Sequence, residues 1–119
     1  MGLVTQLLVG FVAVLHLYIL VLEMFLWDKP YGLKAFGNTP EKAQLTKVMA
    51  QNQGLYNGFL AAGLFWSLCA PESYAVALAN FFLACVFVAG IYGGLTASKK
   101  IIYIQAVPAL LALLAVNLL

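Results

Sequence analysis

Four long apolar segments alternate with short polar ones along the chain. Each apolar segment has about 20 residues, which is the length of helix needed to cross the hydrocarbon core of a bilayer. The pattern predicts an all-α integral membrane bundle of four transmembrane helices. It forms a single transmembrane domain over residues 1–119, with spans at about 3–27, 48–70, 74–96 and 101–119 and one long loop at 28–47.

The composition excludes a water-soluble domain. Hydrophobic residues make up 65% of the chain and charged residues only 8%, whereas charged residues are about a quarter of an ordinary soluble domain. The basic residues are all lysines, so the chain lacks arginine, whose planar guanidinium can form two hydrogen bonds to one phosphate. We therefore expect the lipid bilayer as the partner of this chain, and no nucleic acid.

The lysines predict how the chain is oriented in the membrane. All six lie in the first and third connections, and the second connection has none. Because short cytoplasmic loops are enriched in lysine, the first and third loops are predicted to be cytoplasmic and both termini non-cytoplasmic. The expected location is the cell membrane, as a multi-pass protein. The lysines are Lys29, Lys34, Lys42, Lys47, Lys99 and Lys100.

Two local sequence signals refine the predicted start of one helix and the predicted shape of another. Thr39, Pro40 and Glu41 form a helix start, with Thr39 as N-cap, so the second long helix is predicted to begin near Pro40. The loop before it is predicted to carry a lid or a short interfacial helix. Pro108 is predicted to kink the fourth span or to free a carbonyl for local hydrogen bonding.

Small residues recur every four positions on two of the predicted helices. Such patterns let transmembrane helices approach closely, because association in lipid depends on packing and hydrogen bonds. The pattern predicts contact faces and leaves open whether they join helices of one chain or form a homo-oligomer. The residues are Gly54, Gly58 and Ala62 on the second span, and Gly90 and Gly94 on the third.

Polar residues inside the spans are the candidate functional groups, because burying them in lipid is costly. Counted at about 1.5 Å per residue, most of them lie in the cytoplasmic half. We predict that they line a polar cavity open to the cytoplasm. The ligand-binding or proton-carrying candidates are His16, Glu23, Asn52, Gln53, Tyr56, Asn57, Tyr92 and Gln105. One histidine and one glutamate are too few for a zinc or iron site, so neither a metal nor another cofactor is predicted.

The helical period places His16 and Glu23 on one face of the first span. Glu23 has two interpretations that share this geometry. It is either a structural carboxyl that hydrogen-bonds to amides and fixes the packing of the helices, or an acid or proton carrier. The amides of the second span are likewise either contacts between helices or ligand-binding groups.

Two stretches of the sequence resemble a known family. Residues 16–27 (HLYILVLEMFLW) and 52–64 (NQGLYNGFLAAGL) are similar to the small bacterial membrane proteins grouped as domain of unknown function 1304. This resemblance implies a bacterial inner-membrane protein, and it implies nothing about the activity. A fainter similarity is to the membrane-associated eicosanoid and glutathione metabolism family. It implies that Asn52 or Asn57 matches an asparagine of a glutathione site, but the arginines of that family are absent here.

Three functions are compatible with these residues. The first is binding or passage of a small polar or amphipathic molecule. The second is an intramembrane enzyme acting on a lipophilic substrate, with Glu23 or His16 as general acid or base and Tyr92 as a donor. The third is a structural or accessory membrane subunit. No activated nucleophile is evident, since Ser67 and Cys69 lie at the opposite end of the second span, so the catalytic residues are unknown.

Overall fold

The computed structural model describes all residues, Met1–Leu119, and every regular element in it is a helix. The predicted all-α class is therefore confirmed. The elements are α1 (Leu3–Met24), α2 (Pro30–Phe36), α3 (Pro40–Cys69), α4 (Glu72–Thr96), a π-helical turn (Ile102–Ala106) and α5 (Val107–Leu118).

Two of these helices, α1 and α4, are long and apolar enough to cross a membrane. The segment Ile102–Leu118 is also apolar but shorter. Helix α3 has 30 residues, but its first half is polar, and the helix is therefore not among those apolar enough to cross a membrane. Length and composition therefore make these two helices candidates for crossing a membrane.

The predicted helix start at Pro40 is confirmed. Helix α3 begins at Pro40, and the backbone N–H of Lys42 donates to Oγ1 of Thr39 over 3.2 Å, which is the hydrogen bond of an N-cap. A short helix, α2, is also present in the preceding loop. It ends at Gly37, whose φ of 65° lies in the left-handed region that glycine adopts without strain.

The chain forms two compact units, Met1–Val14 with Leu60–Leu119, and Leu15–Phe59. The larger unit has a core of small and medium apolar residues from α1, α3, α4 and α5. Alanines from α4 and α5 are completely buried in it. The core residues are Val9, Val12, Ala13, Leu64, Ala79, Leu83, Val86, Ala109 and Ala112.

Large apolar side chains of this unit lie on its surface. Phe11, Trp66, Phe81 and Leu114 are each about half exposed or more, at 57%, 53%, 63% and 47%. Small residues in the core and large apolar residues outside are the distribution expected where helices pack closely and their outer faces contact lipid.

The closest packing in the larger unit is between α4 and the π-helical turn. A methyl group added at Gly90 would lie 2.6 Å from the backbone nitrogen of Ala106. In the turn, the N–H of Val107 donates to the carbonyl of Ile102, five residues earlier. Pro108, which follows, has no N–H to give the carbonyl of Ile104, so the regular four-residue pattern is interrupted here. The predicted effect of Pro108 therefore takes the form of a π-helical turn.

The smaller unit comprises the C-terminal part of α1, all of α2 and the first two thirds of α3. Trp27, just after α1, organises the connection between these helices. Its ring packs against that of Phe36 with centroids 4.8 Å apart, and its Nε1 donates to Oγ1 of Thr46 over 3.1 Å. The hydroxyls of Tyr18 and Tyr31 are also hydrogen-bonded to each other.

Candidate functional site

Glu23 lies in the last turn of α1. The sequence pattern continues as an apolar stretch to Trp27, but the helix ends at Met24. The N–H groups of Phe25 and Leu26 both donate to the carbonyl of Val21, which closes the helix. The chain then turns into α2. Leu26 and Trp27 are half-buried in this turn and Phe25 is exposed, a difference that hydropathy cannot detect.

The Glu23 carboxylate meets the second long helix at Asn57. Nδ2 of Asn57 donates to Oε1 of Glu23 over 2.6 Å, and both side chains are half-buried. The bond joins α1 to α3 within the smaller unit. A short hydrogen bond to a carboxylate is stronger than one between neutral groups, so this pair holds the two helices in a defined position.

Glycines on α3 allow α1 to approach. A methyl group at Gly54 would collide with the side chain of Met24, and one at Gly58 would lie 2.7 Å from Cδ1 of Leu20. These two glycines of the predicted contact face therefore pack against α1 of the same chain. Ala62, the third predicted member, is exposed, whereas Ala61 is buried. An α-helix has 3.6 residues per turn, so residues spaced four apart lie progressively farther around the helix and leave the contact face.

Glu23 has no positively charged side chain beside it. The two ion pairs of the chain lie elsewhere, between Asp28 and Lys47 and between Glu72 and the amino group of Met1. Helix α1 also has no basic residue in its last turn. The hydrogen-bonding partner of this carboxylate in the structure is the neutral amide of Asn57.

The other candidates of α1 and α3 lie apart from this pair. Asn52 is exposed and its amide donates to the carbonyl of Val48 in its own helix. Gln53 and Tyr56 are exposed, and His16 is completely buried. The structure therefore joins Glu23 and Asn57 directly, while a cavity lined by all of these residues stays a prediction.

Two candidates belong to the larger unit. Tyr92, on α4, is 70% exposed and lies along a shallow apolar groove that includes Phe81 and Cys85. Gln105 is half-buried in the π-helical turn. No three His, Cys, Asp or Glu side chains are grouped so that they could share a metal ion.

Comparison with known proteins places the chain in a family. The model of a protein family described as protein of unknown function (DUF1304) matches residues 10–117. The uncharacterized protein YpaA of Lactococcus lactis subsp. lactis (strain IL1403) is 31% identical over 117 residues, which cover 97% of this chain and 98% of that relative. The chain belongs to the DUF1304 family. The resemblance seen in the sequence is thus confirmed, and no solved structure matches this DUF1304 protein.

A second polar cluster of this DUF1304 protein was not predicted from the sequence. Asp28 accepts hydrogen bonds from Nζ of Lys47 over 2.9 Å and from Nε2 of Gln44 over 3.0 Å. The Lys47 ammonium holds the pKa of Asp28 below its usual range. The cluster joins Asp28, in the turn after α1, to the first turns of α3, and these positions are the two ends of the loop predicted at 28–47. Opposite charges at those two ends were a signal in the sequence that would have suggested it.

The Asp28 cluster predicts an acid-induced change in this DUF1304 protein. Because the pKa of Asp28 is lowered in the folded state, its contribution to stability is complete above the ordinary aspartate pKa. It is lost only as the pH falls through the lower folded value. Trp27 is the adjacent residue, so in a Trp66→Phe background its fluorescence should stay constant from neutral to mildly acidic pH and change only in strong acid.

The matched variants are Asp28→Asn and Glu41→Gln. The first removes the titrating carboxylate, so the acid transition of Trp27 fluorescence should disappear. The second alters an exposed acid in the first turn of α3 and should keep it. An unchanged transition in Asp28→Asn would show that another group controls the loop.

Proposed function

We propose that this DUF1304 protein is a multi-pass protein of the cell membrane that binds or passes a small polar or amphipathic molecule. The binding group in this proposal is the Glu23–Asn57 pair. The observation that carries it is a half-buried carboxylate at the end of an apolar helix, hydrogen-bonded to a neutral amide. Such a group is costly to keep in a membrane segment, and ionisable residues in these positions usually serve function.

The surface of the larger unit supports the membrane part of the proposal. Phe11 and Phe81 lie on the outer faces of the two helices that are long enough to span a bilayer. In water these faces would favour aggregation, whereas acyl chains solvate them. The proposal extends this to four spans, with the second half of α3 and the segment Ile102–Leu118 as the other two.

The lysine distribution supports a cytoplasmic long loop and non-cytoplasmic termini. The test is labelling of Lys34→Cys in intact cells, after replacement of Cys69 and Cys85 by serine. A membrane-impermeant maleimide should label Lys34→Cys only after the membrane is opened. Labelling from outside in intact cells would reverse the proposed orientation and place the end of α1 that carries Glu23 on the other side.

Thermal unfolding in lipid nanodiscs tests the binding proposal. Octylamine, octanamide and octanoate share one alkyl chain and differ in their headgroups, which are cationic, neutral and anionic. At least one of them should raise the unfolding temperature of the wild-type protein in a saturable way. The increase should be lost in Glu23→Leu and in Asn57→Leu, which each remove one half of the pair, and kept in the exposed control Glu41→Leu.

The absence of any difference between wild type and these variants would contradict the binding proposal. Equal shifts in wild type, Glu23→Leu and Asn57→Leu for all three compounds would mean that they act on the lipid or elsewhere on the protein. The proposed binding function would then be wrong. Circular dichroism of each variant establishes that its helices are formed before the comparison is made.

A structural role is the second candidate. It is favoured by the close approach of α1 to Gly54 and Gly58 beside the same hydrogen bond. In that case the Glu23–Asn57 pair only fixes the contact between α1 and α3. The Glu23→Gln variant separates the two roles.

A further inference from the structure

We infer that the molecule bound at the Glu23–Asn57 pair is a bulky lipophilic cation, such as a quaternary or alkyl-substituted onium compound. This inference rests on the proposed function and specifies the class of its ligand. It follows from the charge, the number of oxygen donors and the walls of this one site.

The negative charge of the Glu23 carboxylate favours a positively charged ligand. Glu23 lies in the last turn of α1, where carbonyl groups without intrahelical partners give the helix end a partial negative charge. The N–H groups of Phe25 and Leu26 both donate to the carbonyl of Val21. The carbonyls that follow Val21 in this last turn therefore accept no hydrogen bond from these two N–H groups. A carboxylate is repelled by this helix end and would be stabilised by a cation.

The chain itself does not provide that cation. Helix α1 has no basic residue in its last turn, and Lys47, which forms an ion pair, uses its ammonium for Asp28. Asn57 contributes a hydrogen bond but no charge. An ionised Glu23 therefore has a positive charge to gain from a ligand, and in a weakly polar surrounding that attraction is strong.

The donor set fits an organic cation better than a small metal ion. The pair offers the carboxylate of Glu23 and the amide oxygen of Asn57, whose NH₂ group is already used. Hard cations such as calcium take about six to eight oxygen ligands. A bulky onium ion has its charge spread under a shell of carbon atoms, so it gives up little hydration and needs no such shell of donors.

The walls of the site are apolar and reachable. Leu20 and Met24, which precede and follow Glu23 on α1, pack against Gly58 and Gly54 of α3. The methionine thioether is flexible and polarizable, which suits ligands of varied shape. Glu23 and Asn57 are both only half-buried, so part of the pair lies at the surface of the fold, where a ligand would approach it.

The test compares two ions of the same shape and opposite charge. Tetraphenylphosphonium and tetraphenylborate are titrated against the purified full-length protein in nanodiscs of neutral lipid, with binding measured by equilibrium dialysis. Wild type should bind the phosphonium saturably and take up the borate only as empty nanodiscs do. Glu23→Gln keeps an acceptor for Asn57 but removes the charge, so phosphonium affinity should fall by about tenfold or more.

Two further variants exclude a folding artefact. Glu23→Asp keeps the charge and should retain most of the phosphonium binding that Glu23→Gln loses. Glu41→Gln removes an exposed carboxylate of α3 and should bind as wild type does. Equal phosphonium binding by wild type and Glu23→Gln, or no binding above empty nanodiscs, would overturn the inference.

The outcome is separable from that of the proposed function. Failure of phosphonium binding together with a Glu23-dependent shift by octanamide or octanoate would refute the cation inference and leave the binding function in place. Failure of every probe in both experiments would refute both.

Discussion

Replacement of Gly90 by alanine is expected to lower the free energy of unfolding by about 1–3 kcal/mol, the usual cost of overpacking a well-packed core. The added methyl group would lie 2.6 Å from the backbone nitrogen of Ala106 and 3.0 Å from its Cα. Those atoms belong to the π-helical turn and cannot rotate away as a side chain does. Helix α4 and the turn would have to separate, although alanine by itself favours a helix.

Gly93→Ala is the matched control on the same helix. Its methyl group would lie 3.2 Å from Cγ2 of Ile101, a side-chain atom, so a small rotation relieves the contact. Its stability should change by less than about 1 kcal/mol. Unfolding by SDS in mixed micelles, followed by circular dichroism, measures both. Equal stability of Gly90→Ala and wild type would contradict the close approach of α4 to the π-helical turn.

Replacement of Glu23 is expected to separate folding from function. Glu23→Leu removes the acceptor of the Asn57 amide and leaves that half-buried donor without its partner, which typically costs about 1–3 kcal/mol. Glu23→Gln keeps an oxygen acceptor for the Asn57 amide but loses the strengthening that the charge gives the hydrogen bond, so it should lose less stability than Glu23→Leu. If the pair serves binding, Glu23→Gln should nevertheless lose the affinity that depends on the charged carboxylate.

A double variant checks the physical reason. Glu23→Leu with Asn57→Leu removes both polar groups, so part of the stability lost in Glu23→Leu should return. Equal responses of wild type, Glu23→Gln and Glu23→Leu to octylamine, octanamide and octanoate would assign the pair to structure alone. Loss of stability in Glu23→Gln equal to that in Glu23→Leu would show that charge, rather than hydrogen bonding, holds α1 to α3.

Some of the fold could be predicted from local sequence because the causes are local. The start of α3 follows from Thr39 and Pro40, whose side chains satisfy or tolerate the free N–H groups of a first turn. The disturbance before Pro108 follows from its missing N–H. The all-α class follows from apolar segments that are too long for strands.

The candidate site was predicted in part. Glu23 and Asn57 were both recognised because polar side chains in apolar segments are costly, and the structure joins them. The sequence did not distinguish Asn57 from Asn52 and Gln53, which stand within one turn and a half of it on α3. Only the packed structure shows that Asn57 faces α1 while Asn52 bonds to its own helix.

The sequence alone determined the helical class, the low charge, the family and the residues worth testing, because composition and short-range spacing carry that information. The tertiary structure decided where α1 ends, which glycines meet which helix and that Asp28 joins Lys47 across the loop. These features depend on how segments distant in sequence meet. Hydropathy assigns Phe25 to Trp27 to the same apolar run as α1, but packing of Trp27 against Phe36 and Thr46 turns the chain there.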